Sequence, residues 1–280
     1  MKGVNQICKQ EIVDSCIKDY QNGLSKHKIL KKYQCGQRSL NKVLKGANIK
    51  ERNRSEVVQK YKLDENYFEK IDSCKKAYFL GFLWADGHNN LKNNCVSIGL
   101  TSKDVHILER FKKWLKSERP IKTAERESFG KKRLRSVLVI SNKKISKDLL
   151  KLGMVQDKTR FPKWPTINKK FEKDFIRGFF DGDGCWYITK KPKKFYGSVS
   201  FGGNLRFLRK VSRVINKYVD INFSSKFMPK SSIYGIVEAR RRGEMIKFGN
   251  WLYSNKQDAY LDRKYQKYLR TINFYSHADL

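Results

Sequence analysis

The fold follows from two copies of one apolar segment, FLGFLWADG at residues 79–87 and IRGFFDGDG at residues 176–184. Each copy carries a glycine, has a second small residue four positions later, and ends in Asp-Gly. A glycine within a helix costs about 1 kcal/mol relative to alanine, so a repeated pair of small residues needs a structural reason. If Gly81/Ala85 and Gly178/Gly182 face each other, the two helices can pack almost backbone to backbone and bring their ends together.

The aspartates Asp86 and Asp183 lie at the C-termini of these predicted helices, where the helix dipole disfavours an anion by about 0.3–1 kcal/mol. Two neighbouring carboxylates also raise each other's pKa unless a cation lies between them. Divalent cations such as Mg²⁺ favour carboxylate and carbonyl oxygens, and metals held there could activate water for phosphodiester hydrolysis. One Asp-Gly alone would indicate a helix end and a turn, but two copies at matching places favour a metal site.

The same order of predicted elements follows both segments. After the first segment, apolar periodicity predicts a strand at 95–100, a helix at 102–115, a strand at 135–141 and a helix at 144–152. After the second segment, it predicts the same four elements at 198–201, 204–218, 233–239 and 244–253. The spacing leaves room for one more strand in each half, near 124–129 and 224–228. Such an internal repeat indicates two structurally equivalent halves within one chain.

Residues 6–46 show helical periodicity in short blocks, with Gly23 closing the first block, Ser25 able to cap the second and Gly36 in the turn before the third. This layout predicts a helix-turn-helix DNA-binding domain at residues 1–50, although a plain three-helix bundle fits the same pattern. The inward side of its recognition helix would carry Leu40, Val43 and Leu44, and the exposed side Gln37, Arg38, Asn41 and Lys42. The polar and charged residues 51–74 are predicted to be a linker.

The composition indicates a polyanionic partner. Lys and Arg number 62 against 27 acids, a formal charge of +35, which points to nucleic acid. No apolar stretch is long enough to span a membrane and no signal peptide is recognisable, so we expect an intracellular protein of the cytoplasm or nucleoid that is not secreted. Six scattered cysteines and four histidines form no metal-ligand pattern. The basic stretches expected to contact phosphates are Lys112-Lys113, Lys131–Arg133, Lys190–Lys194 and Arg240-Arg241-Arg242.

Both apolar segments resemble the signature motif of the LAGLIDADG homing endonucleases, in the form that carries two motifs on one chain. KLGMVQDKTRFP at residues 151–162 resembles that family's junction between halves, and WLYSNKQDAYLDRKYQKY at residues 251–268 resembles its closing segment. The resemblance spans roughly residues 75–270, and the N-terminal helices resemble an accessory module of some members. It implies an α+β fold of two pseudo-symmetric αββαββα halves, at 75–165 and 166–280, each with a curved sheet that sits in the DNA major groove.

The resemblance also implies an activity, which is the homing of a mobile genetic element through a staggered double-strand cut in DNA. The sequence leaves open whether this is intron homing, intein homing or the activity of a free-standing gene. Asp86 and Asp183 would each serve one strand and bind Mg²⁺ or Mn²⁺, helped by the backbone carbonyls of Ala85 and Gly182. A single chain would act as a monomer on double-stranded DNA.

Further residues follow from the same resemblance. Family members place a basic residue near each scissile phosphate, and Lys158 and Lys264 are the candidates, with a plain phosphate contact or a solvated lysine as the alternative. Trp84 stands where the motif often has an acid, whereas Asp181 keeps that acid. Arg177 is expected on the outer face of its helix.

Two other functions remain open from the sequence. A DNA-binding transcription regulator could use a catalytically silent version of this fold, but the signature acids, typically lost in such proteins, are both present. An RNA maturase that assists splicing of an intron is the second, with intron RNA as partner. The predicted helix-turn-helix favours duplex DNA, because A-form RNA hides its major groove from a recognition helix.

Overall fold

A computed structural model of the chain describes residues 10–50, 61–128, 130–191 and 194–276. These residues form two compact units, one within residues 1–60 and the other from Tyr61 onward. Among the described residues, no helix is both long and apolar enough to cross a membrane.

The first unit contains three short helices, α1 (Gln10–Gln21), α2 (Lys26–Lys32) and α3 (Gln37–Gly46). Ser25 caps α2, because its Oγ accepts a hydrogen bond from the Lys28 amide at 3.3 Å. Gly23 adopts a φ of +93°, a conformation that favours glycine, in the turn between α1 and α2. The small core of this unit consists of Cys16, Tyr20, Ile29, Leu40 and Leu44.

The second unit contains two copies of the order αββαββα, as the resemblance implies. The first half is formed by α4 (Cys74–Asp86), β1 (Gly87–Asn90), β2 (Cys95–Thr101), α5 (Val105–Trp114), β3 (Lys122–Ser128), β4 (Lys131–Ser141) and α6 (Lys143–Lys151). The second half is formed by α7 (Glu172–Asp183), β5 (Gly184–Lys191), β6 (Lys194–Asn204), α8 (Leu205–Asn216), β7 (Ser224–Phe227), β8 (Tyr234–Ala239) and α9 (Arg242–Tyr253). A further helix, α10 (Asp262–Ser276), follows the second half.

Each half builds one four-stranded antiparallel sheet, in the orders β1-β2-β4-β3 and β5-β6-β8-β7. Apolar side chains alternate along the strands, so that one face of each sheet packs on helices and the other face is polar. In β8, for example, Gly235, Val237 and Ala239 are buried while the residues between them are partly exposed. Because β3 and β4 pair with Arg126 opposite Arg133 and Ala124 opposite Arg135, these arginines share the polar face of the first sheet.

The core of the second unit is continuous across both halves and centres on α4 and α7. Every residue from Ala77 to Trp84 is buried, as expected for a helix that is apolar on all sides. Residues 61–73 also belong to this unit, although the sequence places them in a linker. Phe68 is fully buried and its ring centroid lies 5.3 Å from that of Phe79. The other linker residues, 51–60, lie outside the described residues.

Candidate active site at the ends of two paired helices

The helices α4 and α7 pack backbone to backbone. A methyl group added at Gly81 would overlap the carbonyl oxygen of Phe175, and one added at Gly178 would overlap the carbonyl oxygen of Tyr78. A methyl group at Gly182 would overlap the side chain of Ala85. The small residues therefore serve the close helix approach that their repetition predicts.

This approach brings Asp86 and Asp183, the last residues of α4 and α7, to one place. A methyl group added at Gly182 would lie 3.0 Å from Asp86 Oδ2, so the carboxylate of one helix reaches the last turn of the other. Asp86 is half-buried and Asp183 is exposed. Both helices lead directly into strands at the glycines that follow, Gly87 and Gly184, which fixes the helix ends.

The two carboxylates have raised pKa values. Desolvation by the surrounding protein atoms is the main cause that raises the pKa of Asp183 to about 6, and the negative charge of Asp86 is the second. The positive charges of Lys158 and Lys264 oppose the rise. Burial also raises the pKa of Asp86, against the opposing charges of Lys264, Lys158 and Arg135. Ionised carboxylates are therefore disfavoured here unless additional positive charge is present.

Lys158 and Lys264 occupy corresponding positions beside the aspartates. Lys158 Nζ donates to the carbonyl of Ala85 at 2.8 Å, and Lys264 Nζ donates to the carbonyl of Gly182 at 3.2 Å. Lys264 also donates to the carbonyls of Phe180 and Gly184, each at 2.6 Å. Each ammonium thus lies on the carbonyl that precedes an aspartate, although the two lysines lie at unequal sequence distances from their motifs.

Burial lowers the pKa of both lysines. The pKa of Lys264, which is 4% exposed, falls to about 8, because the charges of Asp181, Asp86 and Asp183 offset the burial only in part. The pKa of Lys158 is lowered by the same cause and supported by the charges of Asp183 and Asp86. Of the positive charges that lower the pKa values of the two aspartates, those of the two lysines have the largest effect.

The residues at the sixth motif position make different contacts. Trp84 Nε1 donates to the carbonyl of Lys163 at 3.0 Å. Asp181 is 1% exposed, and its Oδ2 accepts from the Tyr78 hydroxyl at 2.9 Å and from the Leu261 amide at 2.7 Å. Burial raises the pKa of Asp181 to about 6.

The expectation that Arg177 lies on an outer helix face is wrong. Its side chain is fully buried and donates to the carbonyls of Ala259 and Leu252 and to Asp174 Oδ1. The segment after α9 covers this side of α7, which the local sequence does not reveal. An acid three residues earlier, Asp174, is the one local sign of a buried ion pair.

Arg135 is a residue that the sequence did not single out. Its side chain lies across Gly99 on the polar face of the first sheet and donates to the Gly99 carbonyl at 3.1 Å. From there its charge lowers the pKa of Asp86. Strand alternation could have placed it on that face, but its proximity to Asp86 depends on the tertiary fold.

The predicted DNA-contacting residues lie on α3 of the first unit and around the end of β8 in the second. In α3, Gln37, Arg38 and Lys42 are exposed, whereas Asn41 accepts hydrogen bonds from Lys26 Nζ and Gln37 Nε2 at 2.7 and 3.4 Å.

At the end of β8, exposed Arg240 pairs with Glu238 at 2.7 Å and exposed Arg241 lies 3.8 Å from Glu244. Arg242 begins α9. The basic stretch Lys190–Lys194 joins β5 to β6, and its Pro192 and Lys193 lie outside the described residues.

The donors at the helix ends fit a divalent cation. Within the described parts of the chain, no group of three or more His, Cys, Asp or Glu side chains could hold a metal. Asp86 and Asp183 supply carboxylate oxygens whose mutual repulsion a cation would relieve. The carbonyls of Ala85 and Gly182 each accept a lysine hydrogen bond and keep a second lone pair. The residues present therefore suit a hard cation that completes its coordination with other oxygens.

Comparison with known proteins identifies the fold. No protein-family model matches the chain, and no curated protein matches its sequence. The homing endonuclease I-WcaI, solved bound to its DNA recognition sequence, matches with a TM-score of 0.53 and 14% identity over 79% of this chain and 97% of that one.

Meganuclease I-SmaMI, solved bound to uncleaveable DNA, matches with a TM-score of 0.50 and 12% identity over 72% of this chain and 91% of that one. The I-LtrWI LAGLIDADG homing endonuclease, solved bound to target DNA, matches at 0.48 and 14% identity over 77% and 92%. With its two αββαββα halves and the paired helices between them, the chain has the LAGLIDADG homing endonuclease fold.

Proposed function

We propose that this protein is a site-specific homing endonuclease that makes a staggered, metal-dependent double-strand break in DNA. One observation carries the proposal. Two carboxylates that repel each other are brought together by a helix contact that only small residues allow, and a lysine lies beside each. Groups with perturbed pKa values that converge in this way are typical of catalytic sites.

The polar face of the first sheet supports DNA as the substrate. Among the side chains of β3 and β4 that the structure describes, strand register places four cations on this face, namely Lys122, Arg126, Arg133 and Arg135. Cations in this arrangement suit phosphate contacts and the recognition of guanine edges in the major groove. The similar fold of I-WcaI is bound to its DNA recognition sequence. We propose that the protein acts inside the cell, because genomic DNA lies there. We also propose that it acts as a monomer, because one chain supplies both aspartates.

Asp86 and Asp183 would hold Mg²⁺ or Mn²⁺, with the carbonyls of Ala85 and Gly182 as further oxygen donors. A bound divalent cation supplies an activated water and stabilises negative charge on the phosphate oxygens. The chain's own residues orient the DNA and keep the two carboxylates at a fixed spacing, so that each serves one strand. Lys158 and Lys264 keep positive charge beside the reacting phosphates.

Cleavage of plasmid DNA tests the proposal. A library of supercoiled plasmids with randomised inserts, incubated with the protein and Mg²⁺, should yield linear plasmids that carry the target. Asp86→Asn and Asp183→Asn should each abolish double-strand cleavage of the selected plasmid and leave its binding in a filter assay largely intact. Removing an acid removes a metal ligand while leaving the DNA-contacting surfaces in place.

Asp220→Asn is the matched control, because Asp220 is a fully exposed aspartate outside the helix ends, and it should cut like the wild type. Cleavage at the wild-type rate by either Asp86→Asn or Asp183→Asn would exclude the assignment. If the wild-type protein binds DNA specifically without cutting it, that result would support the alternative function of a DNA-binding transcription regulator.

A further inference from the structure

We propose that Trp84 and Asp181 are paired positioning residues, each of which anchors the segment that carries its own half's lysine and thereby fixes the ammonium beside the aspartate. The inference rests on the proposed function, in which Lys158 and Lys264 act at the two cut positions. It concerns the two residues at the sixth motif position, which differ in chemistry and to which the metal site gives no role.

In the first half, two hydrogen bonds close a loop onto consecutive residues of α4. The Trp84 indole, 4% exposed, donates to the carbonyl of Lys163 at 3.0 Å. Lys158, in the same segment, donates to the carbonyl of Ala85 at 2.8 Å. The segment from Lys158 to Lys163 is therefore tied to neighbouring residues of one helix, by its backbone at Lys163 and by a side chain at Lys158.

In the second half, two hydrogen bonds make the same arrangement on α7. Asp181 Oδ2 accepts from the Leu261 amide at 2.7 Å, three residues before Lys264. Lys264 then donates to the carbonyl of Gly182, the neighbour of Asp181, at 3.2 Å. Again a residue at the sixth position holds the segment and the next residue receives the ammonium.

The two anchoring side chains differ in hydrogen-bonding role, because one segment offers an acceptor and the other offers a donor. In the first half the segment presents a carbonyl, which needs a donor, and the indole of Trp84 supplies it. In the second half the segment presents the Leu261 amide, which needs an acceptor, and the Asp181 carboxylate supplies it. Trp84 is therefore the functional counterpart of Asp181 in the first half. A lysine side chain is long and flexible, so hydrogen bonds from its ammonium hold it at one place more firmly where its backbone is also fixed.

Lysine reactivity tests the anchors without DNA or metal. Wild-type protein and variants are treated with a limiting amount of acetic anhydride, and acetylation of each lysine is measured by mass spectrometry. Trp84→Phe keeps an aromatic ring but removes the indole N–H, and it should raise acetylation of Lys158 several-fold while leaving Lys264 unchanged. Exposed Lys247 serves as the internal reference.

The second anchor calls for three variants. Asp181→Leu removes the acceptor and should raise acetylation of Lys264 several-fold while leaving Lys158 unchanged. Asp181→Asn keeps an acceptor oxygen and should restore most of the protection. Tyr78→Phe removes the other hydrogen bond to Asp181 but not the one from Leu261, and should leave Lys264 protected. Equal exposure of both lysines in each variant, or no change in either, would overturn the proposal.

Strand-specific cleavage gives the second readout. On a supercoiled target plasmid, a poorly placed lysine should slow the cut of one strand, so nicked circles should accumulate. Trp84→Phe and Asp181→Leu should leave nicks in opposite strands, whereas a general loss of stability would slow both strands alike. If the wild type does not cut DNA, the proposed function fails, but the acetylation result still decides whether the anchors exist.

Discussion

At the scale of single residues, the ionised carboxylate of Asp183 lowers the stability of the folded protein. Its pKa of about 6 lies above the 3.8 of an unperturbed aspartate, first because protein atoms crowd the carboxylate and then because Asp86 is negative. The folded chain therefore binds this proton more tightly than the unfolded chain does. Stability falls as the pH rises from near the unfolded value through about 6, and the loss persists above it.

Asp183→Asn should therefore stabilise the metal-free protein at neutral pH, because an amide carries no charge to repel Asp86. In EDTA, we expect the variant to melt at a higher temperature than the wild type at about pH 8 and at nearly the same temperature at about pH 4. Differential scanning calorimetry at both pH values measures this. Asp220→Asn, at a fully exposed site, should show no such pH-dependent gain. A lower melting temperature for Asp183→Asn at the higher pH would contradict the assigned pKa shift.

At the scale of elements, the α4–α7 contact leaves no room for larger side chains at its glycines. Gly178 faces the Tyr78 carbonyl, a main-chain atom that cannot turn aside as a side chain can. Gly178→Ala gains about 1 kcal/mol in helix propensity but must force the helices apart, which typically costs about 1–3 kcal/mol or more. We expect net destabilisation, visible as a lower urea midpoint.

Gly243→Ala is the matched control for this prediction. Gly243 lies in α9, in the same unit, and an added methyl group there would meet nothing within 4 Å. This variant should be neutral or more stable by up to about 1 kcal/mol. Equal urea midpoints for the two variants would show that the helix contact is looser than the structure indicates.

The elements also show what local sequence can predict. Strands β2, β4 and β8 alternate apolar and polar residues because one face of each is buried, and this pattern located them. The strand β1 (Gly87–Asn90) contains no aliphatic residue, so it is recognisable only by its pairing with β2. Likewise, the motif repeat predicted that Asp86 and Asp183 lie together, and the resemblance pointed to Lys158 and Lys264. The burial of Arg177 and the Asp181–Leu261 bond depend on a segment distant in sequence.

At the scale of the whole molecule, the boundary between the two units predicts how the chain can be shortened. Removing residues 1–60 should leave a folded second unit that binds DNA more weakly, with a shorter footprint, if the three N-terminal helices bind DNA. Removing residues 1–74 also deletes Tyr67 and Phe68, which are buried against the core. Loss of a buried aromatic side chain typically costs about 3–5 kcal/mol.

Urea unfolding and DNase footprinting of the two truncated proteins check this prediction. The shorter deletion should unfold cooperatively with a midpoint close to that of the second unit in the full chain, and the longer deletion at a clearly lower midpoint. Similar midpoints for both would show that residues 61–73 contribute little. An unfolded product from the shorter deletion would place the boundary elsewhere.

The contact between α4 and α7 has a consequence for the redesign of such an enzyme. Because main-chain atoms make the contact at Gly81 and Gly178, we expect substitutions on the two sheets to leave the spacing between the carboxylates of Asp86 and Asp183 unchanged. In the endonuclease that we propose, the DNA sequence recognised and the stagger of the break are thus separable properties. Protein engineers could exchange every base-contacting side chain and still obtain ends of unchanged overhang length.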